Sequence, residues 1–227
     1  MNNLLTATAL FVGGHFALSS ASLRAPLIAR LGAGPFRGLY AAVAFAALMW
    51  MALAYRAAPD VVLWPAAPGL RWIPVLVMPF AFFLLIAANT TKSPTRVGAV
   101  LKAGEVSSVA GVLRITRHPL LWAFTLWAAS HIITNGDLAS LILMGGVLVL
   151  ALGGMAHIDR RREAEFGAAW GPIALSTSVL PFAALLSGRA RMDWTGIGWW
   201  RVALALAVYL AFLFGHEWIF GVSALPL

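Results

Sequence analysis

Two histidines stand inside apolar runs of this chain. His15 lies within residues 4–23, and His131 lies within the run that follows Arg114-Ile115-Thr116-Arg117-His118-Pro119. An imidazole is costly to place in a membrane-spanning helix, so each marks a candidate functional site. Counted from Leu4, His15 lies about 16 Å below one membrane surface. Counted from Pro119 at the opposite surface, His131 lies about 18 Å into a core of ~30 Å. The two depths agree to within a few ångströms, which suits a metal or a planar macrocycle such as haem gripped between two helices. Gly13 and Gly14 precede His15 and would let a flat group approach closely. The plainer reading is that each ring hydrogen-bonds a neighbour: Ser19 is one turn from His15, and Ser130 and Asn135 are near His131. The residue types leave both readings open. With no cysteine in the chain, any metal must be held by His, carboxylate or backbone oxygen.

The remaining polar groups read as structural. His118 stands where a span begins, and Pro119 suits a first helical turn because that position needs no N–H donor. His157 precedes Asp159-Arg160-Arg161-Arg162-Glu163, which reads as an inner-surface turn in solvent, attracted to anionic lipid. His216, near the outer end of the last span, would be satisfied by a carboxylate such as Glu217 or by water. Asn89-Thr90-Thr91-Lys92 and Asn135-Gly136-Asp137 carry turn and capping chemistry. No phosphate loop, zinc-protease helix or Ser-His-Asp order is present.

The elements that must position these groups follow from composition. Of 227 residues 61% are hydrophobic and 11% charged, against roughly 25% charged in soluble domains. The expected fold is therefore all-α: one polytopic membrane bundle over residues 1–227, embedded in a lipid bilayer. Six spans are expected at residues 4–23, 38–55, 72–90, 119–134, 138–156 and 199–220. Residues 173–187 contain Pro181 and would re-enter, lie in the interface or form a seventh span. The first span lacks a basic leader and a cleavage site, so it is expected to be retained. Fourteen of the sixteen Lys and Arg fall on one side of the six-span arrangement; only Arg56 and Arg71 fall on the other. That bias predicts both termini outside. The net charge of +8 lies in these loops beside the spans, which argues against nucleic-acid binding.

At these residues the chain resembles the NnrU family of bacterial membrane proteins, to which the plant and cyanobacterial zeta-carotene cis-trans isomerase is related. The pieces that carry the resemblance are His15 with Ser19-Ser20-Ala21-Ser22-Leu23-Arg24, then Arg114–Pro119, His131, Asp159-Arg160-Arg161 and Ser178-Val179-Leu180-Pro181-Phe182. The resemblance implies haem b held by His15 and His131 as axial ligands, with Gly14, Ser19 and Trp127 around it. It does not make His118 a ligand. It also implies redox gating, in which reduction loosens one imidazole and opens an acid site to an apolar polyene entering from the lipid. A haem so opened would also take a small gas such as nitric oxide, which fits a role linked to denitrification. The electron donor is unspecified. One departure stands out: residues 57–71 form a short loop without a histidine to match the isomerase's additional one.

Two other readings compete. Arg117-His118-Pro119 also resembles a motif of integral membrane methyltransferases of the isoprenylcysteine type. There it would shape an S-adenosylmethionine pocket, with Glu163 or Glu165 holding the nucleoside. That reading gives His15 and His131 no task. The third reading is a scaffold whose histidines only knit helices together.

Overall fold

A backbone in hydrocarbon must satisfy its own N–H and C=O groups, so long apolar segments become helices. The computed structural model describes residues 1–65, 67–95 and 109–225. Arg96 and Lys102, counted above with the inner basic residues, lie outside these. Among the described residues the fold is all-helical, with an isolated bridge between Val62 and Asp137 and no strand. The helices are α1 (Asn2–Ser19), α2 (Ala21–Leu31), α3 (Ala33–Arg56), α4 (Trp72–Thr90), α5 (Val112–Ile115), α6 (Pro119–Asn135), α7 (Leu138–Phe166), α8 (Trp170–Ser176), α9 (Ala183–Leu186), α10 (Trp194–Ile197) and α11 (Trp199–Phe220).

Among the described residues four segments are long and apolar enough to cross a membrane: Ala33–Arg56, Gly69–Thr90, Leu138–Ser176 and Trp199–Phe220. A fifth is added if α1 and α2, bent by 68° at Ser20, form one broken span. At 17 residues α6 lies at the short end of the range for a span. Large apolar side chains stand far out of the protein interior, among them Leu76 (73% exposed), Phe214 (70%) and Trp218 (90%). Such surfaces belong in lipid. The chain is a multi-pass membrane protein.

Residues 173–187 do not form a continuous helix. Helix α8 stops at Ser176, Thr177 is extended, and α9 is a single turn, so a seventh helical span is ruled out there. Phe182 takes a left-handed conformation (φ 65°), the one described non-glycine residue to do so.

The chain divides into two compact units. One comprises Met1–Ala67 with Ala128–Leu150, the other Pro68–Trp127 with Ala151–Leu227. In the first, α1 packs on α3. Trp50 Nε1 donates to Asn3 Oδ1 at 3.0 Å, and the hydroxyls of Tyr55 and Ser140 pair at 2.9 Å. Asp137 caps α7, its carboxylate accepting from the Ser140 amide at 2.7 Å, and Asn135 Nδ2 donates to Ser140 Oγ. Asp137 thus has the capping role expected of it, whereas Asn135 ties the turn to the Ser140 side chain. A Cβ at Gly146 would lie 2.3 Å from the Thr8 methyl, so glycine lets α1 and α7 approach.

In the second unit α4 packs on α11. Pro79, inside α4, has no N–H to offer the Val75 carbonyl one turn back. Tyr209 on α11 supplies the missing donor, its hydroxyl reaching Val75 O at 2.9 Å. At the other end of the same pair, the Arg201 guanidinium donates to the Thr90 carbonyl at 3.0 Å and to its hydroxyl at 2.8 Å. Between α9 and α10, the Asp193 carboxylate accepts from the amides of Gly196 and Gly111, both at 2.9 Å. Those amide hydrogen bonds, Gly196 first, hold its pKa below the usual carboxylate value.

Candidate functional site

His15 sits in the first unit on α1, half-buried. Its Nδ1 is 2.7 Å from the Phe11 carbonyl. A carbonyl only accepts, so Nδ1 carries the proton and a neutral ring keeps its lone pair on Nε2. Ligating histidines are fixed in this way, by a hydrogen bond from the other ring nitrogen. Tyr40 of α3 meets the ring edge-on at 5.5 Å and Phe11 at 4.5 Å. Leu10, Gly14, Leu18, Val43, Ala44 and Ala47 complete the apolar surroundings. The gap enclosed on this α1–α3 side is about 10 Å³, room for one water and no more, so a macrocycle would have to lie outside it. A Cβ added at Gly13 or Gly14 meets nothing within 4 Å, which leaves α1 open beside the ring.

Ser19 is not the proton acceptor for His15. Its hydroxyl donates to the backbone carbonyl of His15 at 2.6 Å. His131, on α6 in the same unit, is half-buried, with Nδ1 3.3 Å from the Ser130 hydroxyl. Trp127 lies one turn before it on α6, also half-buried. Among the described residues no three His, Asp or Glu gather in a cluster that could hold a metal ion. Two imidazoles are all that haem ligation asks of side chains.

The second unit brings together what the sequence left apart. After the single turn of α5, Thr116 is extended and α6 starts at Pro119, the first-turn position expected of it. The extended stretch is clamped to residues 178–182. The Arg117 amide donates to Ser178 O (3.0 Å), the Phe182 amide to Ile115 O (2.8 Å), and both Thr116 Oγ1 and Trp122 Nε1 to Val179 O. Phe182 adopts its left-handed turn where its amide meets Ile115 and its ring stacks on Phe80 at 5.9 Å.

Arg117, His118 and Asp159 form a closed polar network. The Arg117 guanidinium grips Asp159 through Nε (2.9 Å) and Nη2 (2.5 Å). His118 Nε2 donates to the other carboxylate oxygen at 2.8 Å, and its side chain is 1% exposed. His118 is therefore more than a helix-start signal. Nor do residues 159–163 form a solvated turn: they continue α7, Arg162 is buried against Phe166 and paired with Glu165 at 2.6 Å, and Asp159 bridges two motif residues. Only Arg160 and Glu163 keep the exposure expected of that stretch. The reason is helix length: α7 runs on for ten residues past Ala156, which turns Asp159 and Arg162 inward by helical period. His157 lies within that helix, half-buried. His216 Nδ1 donates to the Val222 carbonyl at 2.7 Å, a backbone acceptor and not the Glu217 carboxylate.

The motif pieces therefore fall into two sites, and their order along the chain matches a known group. The family described as NnrU protein matches residues 3–224. The chain belongs to the NnrU family. It is also similar to the 15-cis-zeta-carotene isomerase, chloroplastic, of Zea mays (33% identical over 82 residues) and to that of Arabidopsis thaliana (34% over 79 residues). These matches cover 36% and 35% of this chain and 22% of each relative, so the chain corresponds to about a fifth of those proteins' length. No solved structure matches.

The joint that sequence reasoning missed is Asp159 itself. It was legible as a motif residue, but its partners lie 41 and 42 positions away, and no local spacing connects them.

Proposed function

We propose that this NnrU-family protein is a membrane-embedded haem b protein that isomerises double bonds of an apolar polyene, and that His15 and His131 would hold the haem. The observation that carries the reading is the Nδ1–Phe11 hydrogen bond, which leaves His15 in the tautomer a ligand needs. The similarity to carotene isomerases supplies the reaction class. Haem held there would supply a redox-switchable Lewis acid for a double bond. The chain's own residues orient and exclude: Phe11 fixes the His15 ring, Tyr40 packs its edge, and the apolar lining keeps water away.

The proposed topology has six spans, α1, α3, α4, α6, α7 and α11, with both termini outside a bacterial inner membrane. Contacts within each unit support it. Asn3–Trp50 and Tyr55–Ser140 join helix ends that this topology puts outside, and Arg201–Thr90 joins two that it puts inside. The methyltransferase reading loses ground, because Arg117 and His118 direct their polar atoms at Asp159 and not at an open pocket.

The deciding experiment is the absorption spectrum of the detergent-purified protein, oxidised and then reduced with dithionite. A sharp Soret band with reduced b-type bands, followed by conversion of an added poly-cis carotene, is the expected result. A colourless protein after expression with added haem would overturn the reading and turn attention to S-adenosylmethionine binding.

A further inference from the structure

No packing against a core explains helix α2. None of its eleven residues is buried, and Leu23 and Leu31 are 45% and 44% exposed. The chain bends by 68° on entering it, so α2 leaves the direction of α1 before α3 returns. Leu23, Leu27 and Leu31 recur every four residues and share one face. A short helix that combines exposed leucines with arginines belongs at a membrane surface.

Three arginines stand at this end of the first unit: Arg24 and Arg30 on α2, and Arg37 in the second turn of α3. No Asp or Glu occurs among residues 1–59. The unit's two acids, Asp60 and Asp137, follow α3 and precede α7, at its opposite end. Among the described residues no carboxylate pairs with any of the three arginines. The second unit treats its arginines differently: Arg117 is paired with Asp159 and Arg162 with Glu165, and Arg201 donates to Thr90. Two of the three in the first unit are held in place with donors to spare. The Arg24 guanidinium lies over the buried Phe36 ring at 5.5 Å, and Arg37 commits Nε to the Ala33 carbonyl at 3.2 Å. A guanidinium so placed offers a planar fork of N–H groups, which matches a phosphate.

We propose that the α2 corner binds anionic phospholipid, its phosphate held by Arg24, Arg30 and Arg37 and its acyl chains against the leucine face. A phospholipid presents both chemistries together. A free phosphate would leave the leucines in water, and a zwitterionic lipid would leave the net charge of the arginines uncompensated. Neither haem nor polyene enters into this assignment.

The test is native mass spectrometry of the full chain in a neutral detergent, titrated with palmitoyl-oleoyl phosphatidylglycerol or palmitoyl-oleoyl phosphatidylcholine. The unmodified protein should bind phosphatidylglycerol about tenfold or more tightly than phosphatidylcholine. Arg30→Gln and Arg37→Gln change exposed side chains that no core packing needs. Each should cut the preference about fivefold, and both together should erase it. Arg160→Gln removes the same charge from an exposed position of the second unit, three residues from Glu163, and should leave the preference unchanged. Equal binding of the two lipids, or an unchanged preference in both α2-corner variants, would overturn the proposal. So would a loss in Arg160→Gln as large as in Arg30→Gln, which would spread the attraction over the whole surface. Displacement of the lipid by equimolar glycerol 3-phosphate would overturn it in favour of a free phosphate.

Discussion

The surroundings of His15 and of His118 handle the same side chain in opposite ways. His118 is enclosed, and its Nε2 is already committed to a carboxylate that also holds Arg117. His15 commits only Nδ1, to a carbonyl of its own helix, and is packed by aromatic edges and aliphatic groups. The first arrangement fixes a chain corner and leaves little for chemistry. The second fixes a ring's orientation while leaving one nitrogen with its lone pair. A histidine beside a conspicuous motif is therefore a poorer ligand candidate here than one standing among apolar residues.

The sharpest way to break this comparison is spectroscopic. His15→Ala and His131→Ala should each abolish the bis-imidazole haem spectrum, whereas His157→Ala should leave it intact; unaltered spectra in both ligand variants would end the assignment. Next in size is Asp159→Ala, which strands a guanidinium and a buried imidazole. Losing one partner of a buried ion pair costs about 3–5 kcal/mol, so the apparent unfolding midpoint in detergent should fall steeply. The haem spectrum of the folded fraction should not change; a spectral change would show that Asp159 supports the His15 site.

Smaller effects sharpen the picture of the second unit. Tyr209→Phe removes the donor that satisfies the Val75 carbonyl beside Pro79, at a cost of about 1–3 kcal/mol. Restoring the helical N–H with Pro79→Ala in the same chain should recover most of that loss, as a double-mutant cycle would record. The smallest effect concerns Asp193. Its folded pKa lies below its unfolded value of about 3.9, so its contribution is complete at neutral pH and lost as pH falls through the folded value. Asp193→Asn should therefore lower stability at pH 7 more than at acid pH, which thermal unfolding at a series of pH values would show.

Some of this was readable in advance. The helices α1, α3, α4, α6 and α11 coincide closely with the apolar runs, and α7 starts where its run does, because hydrocarbon forces an apolar segment to close its own hydrogen bonds. Pro119 at the start of α6 and Asp137 at the cap of α7 act through neighbours a few residues away, and local spacing reveals such roles. The 68° break after Ser19 was not readable: a run of mixed small and apolar residues fits one straight span as well as two bent segments.

Composition, apolar runs and motif order were thus enough to identify a helical membrane protein of the NnrU family, and they marked His15 and His131 as the histidines out of place. Only the tertiary structure decided that Arg117, His118 and Asp159 are one network, that Tyr209 completes the helix Pro79 interrupts, and that the Thr8 hydroxyl is left without a partner. The physical reason is range. Burial in lipid and helical hydrogen bonding act within a segment and write themselves into composition and period. The pairing of a buried polar group depends on which distant helix arrives beside it, and no local spacing encodes that.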